Sequence, residues 1–246
     1  MFDTKSMTFC MFHIIPTYNE SENILTLLNE LTNLDLDVVV IDDNSPDNTS
    51  KIVKNSNLYN SKVHLINREK KLGLGSAYRD GFAWALAKEY KYFVEMDADF
   101  SHSIHDLSKL LQKKENNDLV IGSRYVEGGA VEGWNRFRHS LSFFANKYAK
   151  FLTFCNVNDM TSGFRIYSDI ALKSIDFHNT KSNGYAFQIE MTVLCVIRKL
   201  KIKEIPITFY ERRNGKSKMT IRIVFEAIPK VLLLGLKRIT SILTTP

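Results

Sequence analysis

Cysteine is scarce in this 246-residue chain: Cys10, Cys155 and Cys195 are odd in number, far apart and set in apolar contexts. That pattern offers neither a disulfide framework nor a zinc spacing, and reads as free core thiols in a reducing compartment. Long hydrophobic runs are missing too. Residues 9–15 are too short to cross a bilayer, and Arg222, Glu226, Lys230, Lys237 and Arg238 interrupt the C-terminal candidate at 220–243. The first residues lack the charged-then-apolar order of a signal peptide, so the expectation is a protein made in the cytosol without a transmembrane helix. No internal repeat or low-complexity tract is present. Gly73-Leu74-Gly75 lacks the third glycine and the Lys-Ser pair of phosphate loops, and reads as a helix start.

What is present suits one large α/β domain. The chain is 44% hydrophobic and carries a formal net charge of +6, which leaves nucleic acid, an anionic membrane surface or phosphorylated small molecules as partner classes. Strand-like runs at 9–15, 37–41, 62–66, 92–96 and 118–122 alternate with helical patterns at 20–34, 46–53 (with Ser45 as its N-cap), 73–90 and 103–115. Such alternation predicts a mostly parallel sheet flanked by helices. Further on, 134–154 and 186–200 read as helices, and 163–167 and 202–210 as strands. Residues 211–218 form a basic polar loop, and 220–243 reads either as a buried terminal helix or as one lying on lipid headgroups.

Open α/β sheets bind ligands beyond the carboxyl ends of their strands. Pro16-Thr17-Tyr18-Asn19-Glu20 ends the first strand, Asp42-Asp43-Asn44-Ser45-Pro46-Asp47 the second and Asp97-Ala98-Asp99 the fourth, with Arg124 after the fifth. Asp97 and Asp99 face one side if strand geometry persists through them, and oxygen-only ligands favour Mg²⁺ or Mn²⁺. Taken alone, the same residues also read as turn and capping chemistry. The acidic rim and scattered basic residues argue against a nucleic-acid partner.

The order of these motifs, continued by Gly122-Ser123-Arg124-Tyr125, Thr161-Ser162-Gly163-Phe164-Arg165, Gly184-Tyr185-Ala186-Phe187-Gln188-Ile189-Glu190 and Gly215-Lys216-Ser217-Lys218, resembles the family 2 glycosyltransferases, and among them the dolichol-phosphate mannose synthases. The resemblance implies a GT-A type nucleotide-sugar-binding fold over residues 9–218, followed by an amphipathic or membrane-interfacial segment at 219–246. It implies transfer of mannose from GDP-mannose to dolichyl or another polyprenyl phosphate with inversion at the anomeric carbon; UDP-glucose or another nucleotide sugar is the alternative donor.

By the same resemblance Pro16, Tyr18 and Glu20 hold the guanine, completed by Ile41 and Asp43. Asp97, Ala98 and Asp99 lie along the ribose and pyrophosphate, with Asp97 and Asp99 the ligands of Mg²⁺ or Mn²⁺ and Asp97, Asp99 and Arg124 the catalytic set. Arg124, Arg138 and Ser142 receive the lipid phosphate, and Arg212 and Lys218 close over the diphosphate. Asp99 and Arg124 are expected to share one cavity. Ser101 stands where some relatives have a third metal-binding side chain, and His102 points the wrong way to replace it. An isoprenoid tail implies a peripheral site on the cytoplasmic side of a membrane, that of the endoplasmic reticulum in a eukaryote, held by charge and the C-terminal segment or by a small anchoring subunit.

Overall fold

A computed structural model describes residues 11–34, 36–212 and 221–244, with side chains from 227 onward in the last stretch. Cys10, Lys218 and the rest of the basic loop beyond Arg212 lie outside it. Strands β1 (Met11–Thr17), β2 (Asp37–Asp42), β3 (Val63–Asn67), β4 (Tyr92–Glu95) and β5 (Leu119–Ser123) alternate with helices α1 (Ile24–Asn33), α2 (Thr49–Lys54), α3 (Leu74–Leu86) and α4 (Ile104–Leu111), as the hydrophobic periodicity predicts. After them come β6 (Ala130–Glu132), α5 (Arg136–Thr153), β7 (Arg165–Ser168), α6 (Asp169–Ser174), α7 (Tyr185–Ile197), β8 (Ile202–Pro206), β9 (Thr208–Tyr210) and α8 (Ile221–Thr244).

Seven strands form the main sheet in the order β3-β2-β1-β4-β7-β5-β8. All neighbours are parallel except β7, which runs antiparallel between β4 and β5. Strands coated by helices on both faces must be apolar throughout, and β1, β2 and β5 are buried nearly end to end. Two apolar clusters result. One joins Phe12, Ile14, Val39 and Ile41 to α3 and α7; the other joins Ile15, Val38 and Val40 to α1 and α4. Each buried Leu, Ile, Val or Phe contributes about 1.5–3 kcal/mol. Gly81 on α3 admits no larger residue, because a methyl there would strike Ile14 on β1.

Three expectations change. The run at 202–210 is two strands: β8 ends at Pro206, and β9 leaves the main sheet to pair with β6. Ser45 does not cap α2; Asn48, with φ of 65°, precedes it, while the Ser45 hydroxyl donates to Asp42 Oδ1. Asp97 and Asp99 lie beyond β4, which ends at Glu95, so strand alternation does not aim them. Because β7 is reversed, its leading loop reaches the same rim as the carboxyl ends of β1, β2, β4, β5 and β8.

Candidate functional site

The first half of that rim is an open cleft of about 930 Å³, lined by Pro16, Thr17, Tyr18, Glu20, Asp43, Lys71, Gly73, Leu74, Ala77, Asp97, Ala98, Asp99, Gly184, Tyr185 and Arg212. Turn chemistry shapes its walls: Asn19, Asn44 and Phe100 all take left-handed φ near 60°. The bulky Phe100 pays for this conformation with strain, about 1–2 kcal/mol, and the bend it makes lets the Ser101 N–H donate to Asp99 Oδ1 at 3.1 Å.

Asp99 is buried, and its other oxygen lies 3.1 Å from Arg212. The Asp97 side chain is 39% exposed and faces the cleft. His102 does not point away, as alternation suggests: the Phe100 turn swings its Nε2 to 3.8 Å from Asp97 Oδ2, with the ring stacked on Phe164. Burial pulls His102 down to about 4, although Asp99 opposes the shift, so it is neutral at ordinary pH. Beneath Asp97, burial pushes Glu95 up to about 8 against the pull of Arg165.

Two carboxylates on one cleft wall fit a hard divalent cation. Among the described residues no third His, Cys, Asp or Glu joins them.

At the β1 and β2 end of the cleft, Lys71 sits 3.7 Å above the Tyr18 ring. The Asp43 carboxylate is tied to buried Arg68 and accepts the Gly73 N–H at 2.9 Å. Glu20 accepts from Asn23 Nδ2 at 3.0 Å. Ile41 does not line the cleft: its side chain is fully buried and packs toward Gly81 of α3.

The second half of the rim is an apolar cavity of about 880 Å³ between α5, α7 and α8, lined by Leu141, Phe144, Ala145, Tyr148, Ile189, Ala227, Ile228 and Val231, with Arg124, Trp134, Ser142, Thr161 and Tyr185 also in its wall. Asp99 and Arg124 therefore do not share one cavity. They line adjoining ones, and Tyr185 belongs to both.

Arg124 is buried and held by Asp159, with Nε to Oδ2 and a terminal nitrogen to Oδ1 both at 2.7 Å, and by the Thr161 hydroxyl at 2.8 Å. Asp159 is fixed in turn, its N–H donating to Glu204 at 2.9 Å. Burial alone would raise the Asp159 carboxyl, but the Arg124 charge and hydrogen bonds hold it below the usual range. Ser142 accepts from the Tyr125 hydroxyl at 2.8 Å. Arg138 pairs with Glu211 at 3.1 Å. His139 is exposed on α5, a surface residue.

The structure thus brings Pro16, Tyr18, Glu20, Asp43, Asp97, Ala98, Asp99 and Arg212 to one cleft, and Arg124 and Ser142 to its neighbour. The sequence reading passed over Arg68, Lys71, Trp134 and Asp159. Tyr185 and Thr161 carried a signal, through the Gly184 and Thr161 motifs. Helix α8 has features of both readings of the C-terminal segment: Val231 and Leu234 are buried against the body, Gly235 meets the Leu152 carbonyl of α5 so closely that no side chain fits, and Leu232, Leu233, Leu236, Ile242 and Leu243 remain exposed. No described helix is long and apolar enough to cross a membrane.

Comparison with known proteins agrees with this layout. A family model described as Glycosyl transferase family 2 matches residues 13–176. The chain is 41% identical over 228 residues to the polyprenol monophosphomannose synthase of Mycolicibacterium smegmatis, covering 91% of this chain and 86% of that one. It is also 41% identical to the undecaprenyl-phosphate mannosyltransferase of Micrococcus luteus, covering 91% and 93%. A crystal structure of glucosyl-3-phosphoglycerate synthase from Mycobacterium tuberculosis with Mn²⁺, uridine-diphosphate and phosphoglyceric acid superposes with a TM-score of 0.71 at 17% identity, over 96% of this chain and 83% of that one, a likeness of fold alone.

Proposed function

The chain belongs to glycosyl transferase family 2, and from that premise we propose that it transfers mannose from GDP-mannose to a polyprenyl phosphate, dolichyl phosphate included, in a reaction dependent on Mg²⁺ or Mn²⁺ at a membrane surface. Residues 9–218 are read as the catalytic domain and 219–246 as an interfacial segment. The observation that carries the reading is the pair of adjoining cavities, one polar and acidic, one apolar with Arg124 in its wall, meeting at Tyr185. A sugar nucleotide and a lipid phosphate need such a pair of environments with their reactive ends at the junction. The two relatives named above act on polyprenol and undecaprenyl phosphates by their names.

In the reaction, an acceptor phosphate oxygen attacks the mannose anomeric carbon from the face opposite GDP. The bond from that carbon to the diphosphate oxygen breaks, and β-linked mannosyl phosphate and GDP result. A phosphate monoester is already ionised near neutral pH, so no general base is needed. The difficulty is to bring two anions together, and fixed cations address it: Arg124 and Arg138, with Ser142, for the acceptor, and Arg212 and Lys218 for the diphosphate. Asp97 and Asp99 are the residues to hold the divalent cation, which when bound offsets negative charge on the leaving diphosphate. Pro16, Tyr18, Glu20 and Asp43 border the base.

A donor and acceptor screen with and without chelator tests the reading. GDP-mannose with polyprenyl phosphate and added Mg²⁺ or Mn²⁺ is expected to give product, and chelation to remove it. Exclusive use of UDP-glucose refutes the donor assignment, and full activity in chelator refutes the cation.

The membrane surface is read from helix α5 as well as α8. Phe137, Phe144 and Phe151 recur every seven residues and are 67%, 67% and 75% exposed, which sets them along one stripe of α5. Together with the exposed leucines and isoleucines of α8 and the exposed Lys147 and Lys237, they suit a surface of anionic lipid headgroups. Co-sedimentation with anionic vesicles is expected, weaker in high salt, and a Phe137→Ser/Phe151→Ser variant is expected to bind at least about thirtyfold less, since each exposed Phe loses roughly 1–2 kcal/mol of apolar burial. Failure to bind at any salt points instead to a small anchoring subunit.

A further inference from the structure

Trp134 lies between β6 and α5, packed edge-on against Phe209 of β9 with ring centroids 5.2 Å apart. Two guanidinium groups lie against its ring system: Arg138 at 4.1 Å from the centroid and Arg124 at 5.7 Å. An indole is the side chain best able to attract a cation to its face, and here it lies close to two. Bringing like charges together is costly in a buried setting, and counter-ions offset only part of the cost. Asp159 compensates Arg124 from the side, whereas Glu211, the partner of Arg138, has a side chain that is 50% exposed.

Two donors in this neighbourhood are left over. Trp134 Nε1–H and Arg138 Nε–H are both buried and find no acceptor among the described residues. Unmet buried donors are rare because each costs free energy that an acceptor would recover. Other buried polar atoms without partners belong elsewhere: His13 to the sheet interior, Tyr78, Glu95 and Gln188 to the layer beneath Asp97, His102 to the stack on Phe164 and Phe209, Asp43 and Arg68 to the β2 end of the polar cleft, and Arg238 to α8. Among the described residues with such atoms, Trp134 alone lines the apolar cavity, beside Arg124 and Ser142, and Arg138 lies against its ring. An anion with several acceptor oxygens and an apolar tail answers both features at once.

We propose that Trp134 is an acceptor-binding residue: its ring positions Arg124 and Arg138 as a pair, and its Nε1–H joins Arg138 Nε–H in donating to the phosphate monoester at the head of an isoprenoid chain. The inference rests on the acceptor reading above and deepens it, by assigning the acceptor head a neutral donor fixed between two charges. An indole cannot lose its proton or its donor character at working pH, so the cradle keeps one contact that salt does not screen.

Two variants separate the ring from its N–H. Trp134→Phe keeps the aromatic face and removes the donor; Trp134→Leu removes both. With citronellyl phosphate as a short acceptor, Trp134→Phe is expected to raise the acceptor KM about tenfold, the cost of one hydrogen bond to a charged group, while leaving the GDP-mannose KM unchanged, and Trp134→Leu is expected to raise it further.

Binding is read independently of turnover. The chain has two tryptophans, so a Trp84→Phe background leaves Trp134 as sole reporter of indole fluorescence. Citronellyl phosphate is expected to shift that fluorescence saturably, citronellol without its phosphate is expected not to, and inorganic phosphate is expected to act only at much higher concentration. A Trp134→Phe acceptor KM within twofold of the parent overturns the proposal, as does an equal response to citronellol. Inorganic phosphate binding as tightly as the lipid analogue overturns the lipid headgroup as the source. If the unaltered enzyme transfers sugar to no isoprenyl phosphate, the functional reading fails, and the titration still decides whether Trp134 meets a phosphate.

Discussion

Asp99→Asn is expected to lower kcat for mannosyl transfer about a thousandfold while leaving the fold intact, because it removes a charge that the transition state needs and little else. Asn retains an oxygen where Asp99 Oδ1 accepts the Ser101 N–H, so the Phe100 turn keeps its bond. What disappears is half of the carboxylate pair proposed to hold the cation, and the partner of Arg212. Mn²⁺ binding measured by calorimetry in the presence of GDP is expected to weaken in parallel, with circular dichroism and Tm close to the parent. Asp97→Asn is expected to act in the same direction, since its carboxylate faces the same cleft. An Asp99→Asn enzyme with full activity and unaltered Mn²⁺ binding would remove the acidic pair from the mechanism.

The second large effect is structural. Asp159→Ala is expected to destabilise the protein by about 3–5 kcal/mol, because the buried Arg124 is left without its counter-charge. For a chain of this size that corresponds to a fall in Tm of roughly 10 °C, readable by calorimetry. The pair is buried on both sides, with 5% and 0% of the two side chains exposed, so water cannot substitute for the lost partner. Removing both members as Arg124→Met/Asp159→Leu is expected to recover much of the stability while abolishing transfer, which separates the ion pair's contribution to folding from its role in the site.

The pH dependence has a definite sign. Asp159 is held below its unfolded value by Arg124 despite burial, so its stabilisation is complete above the ordinary carboxylate pKa, about 4, and is lost as pH falls through the folded value. Chemical denaturation between pH 7 and pH 3 is expected to show this acid limb in the parent and not in Asp159→Asn. Equal limbs in both proteins would contradict the assignment.

The strand and helix series of the first 123 residues was legible because each element is specified by contacts a few residues apart. Short continuous apolar runs set β1 to β5, period-3.6 apolar spacing set the helices between them, and Gly73, at φ of 93°, starts α3 as read. Rim residues were legible for the same reason, since a polar cluster at a strand end lies at the carboxyl edge of a parallel sheet whichever strand it follows. Misreadings arose where one torsion redirected the chain. Left-handed φ at Phe100 reversed the aim of His102, and left-handed φ at Asn48 delayed α2 past Ser45.

By itself, then, the sequence determined an α/β sheet with an acidic rim, and its motif order pointed to the family. Only the tertiary structure decided that β7 enters the sheet reversed between β4 and β5, that Arg124 finds Asp159 thirty-five residues away, and that Tyr185 stands at the meeting of a polar cleft and an apolar cavity with Trp134 in the wall of the latter. Local patterns report which face of an element is buried. They do not report which distant element covers it, because that choice is made by the packing of the whole core and the pairing of buried charge.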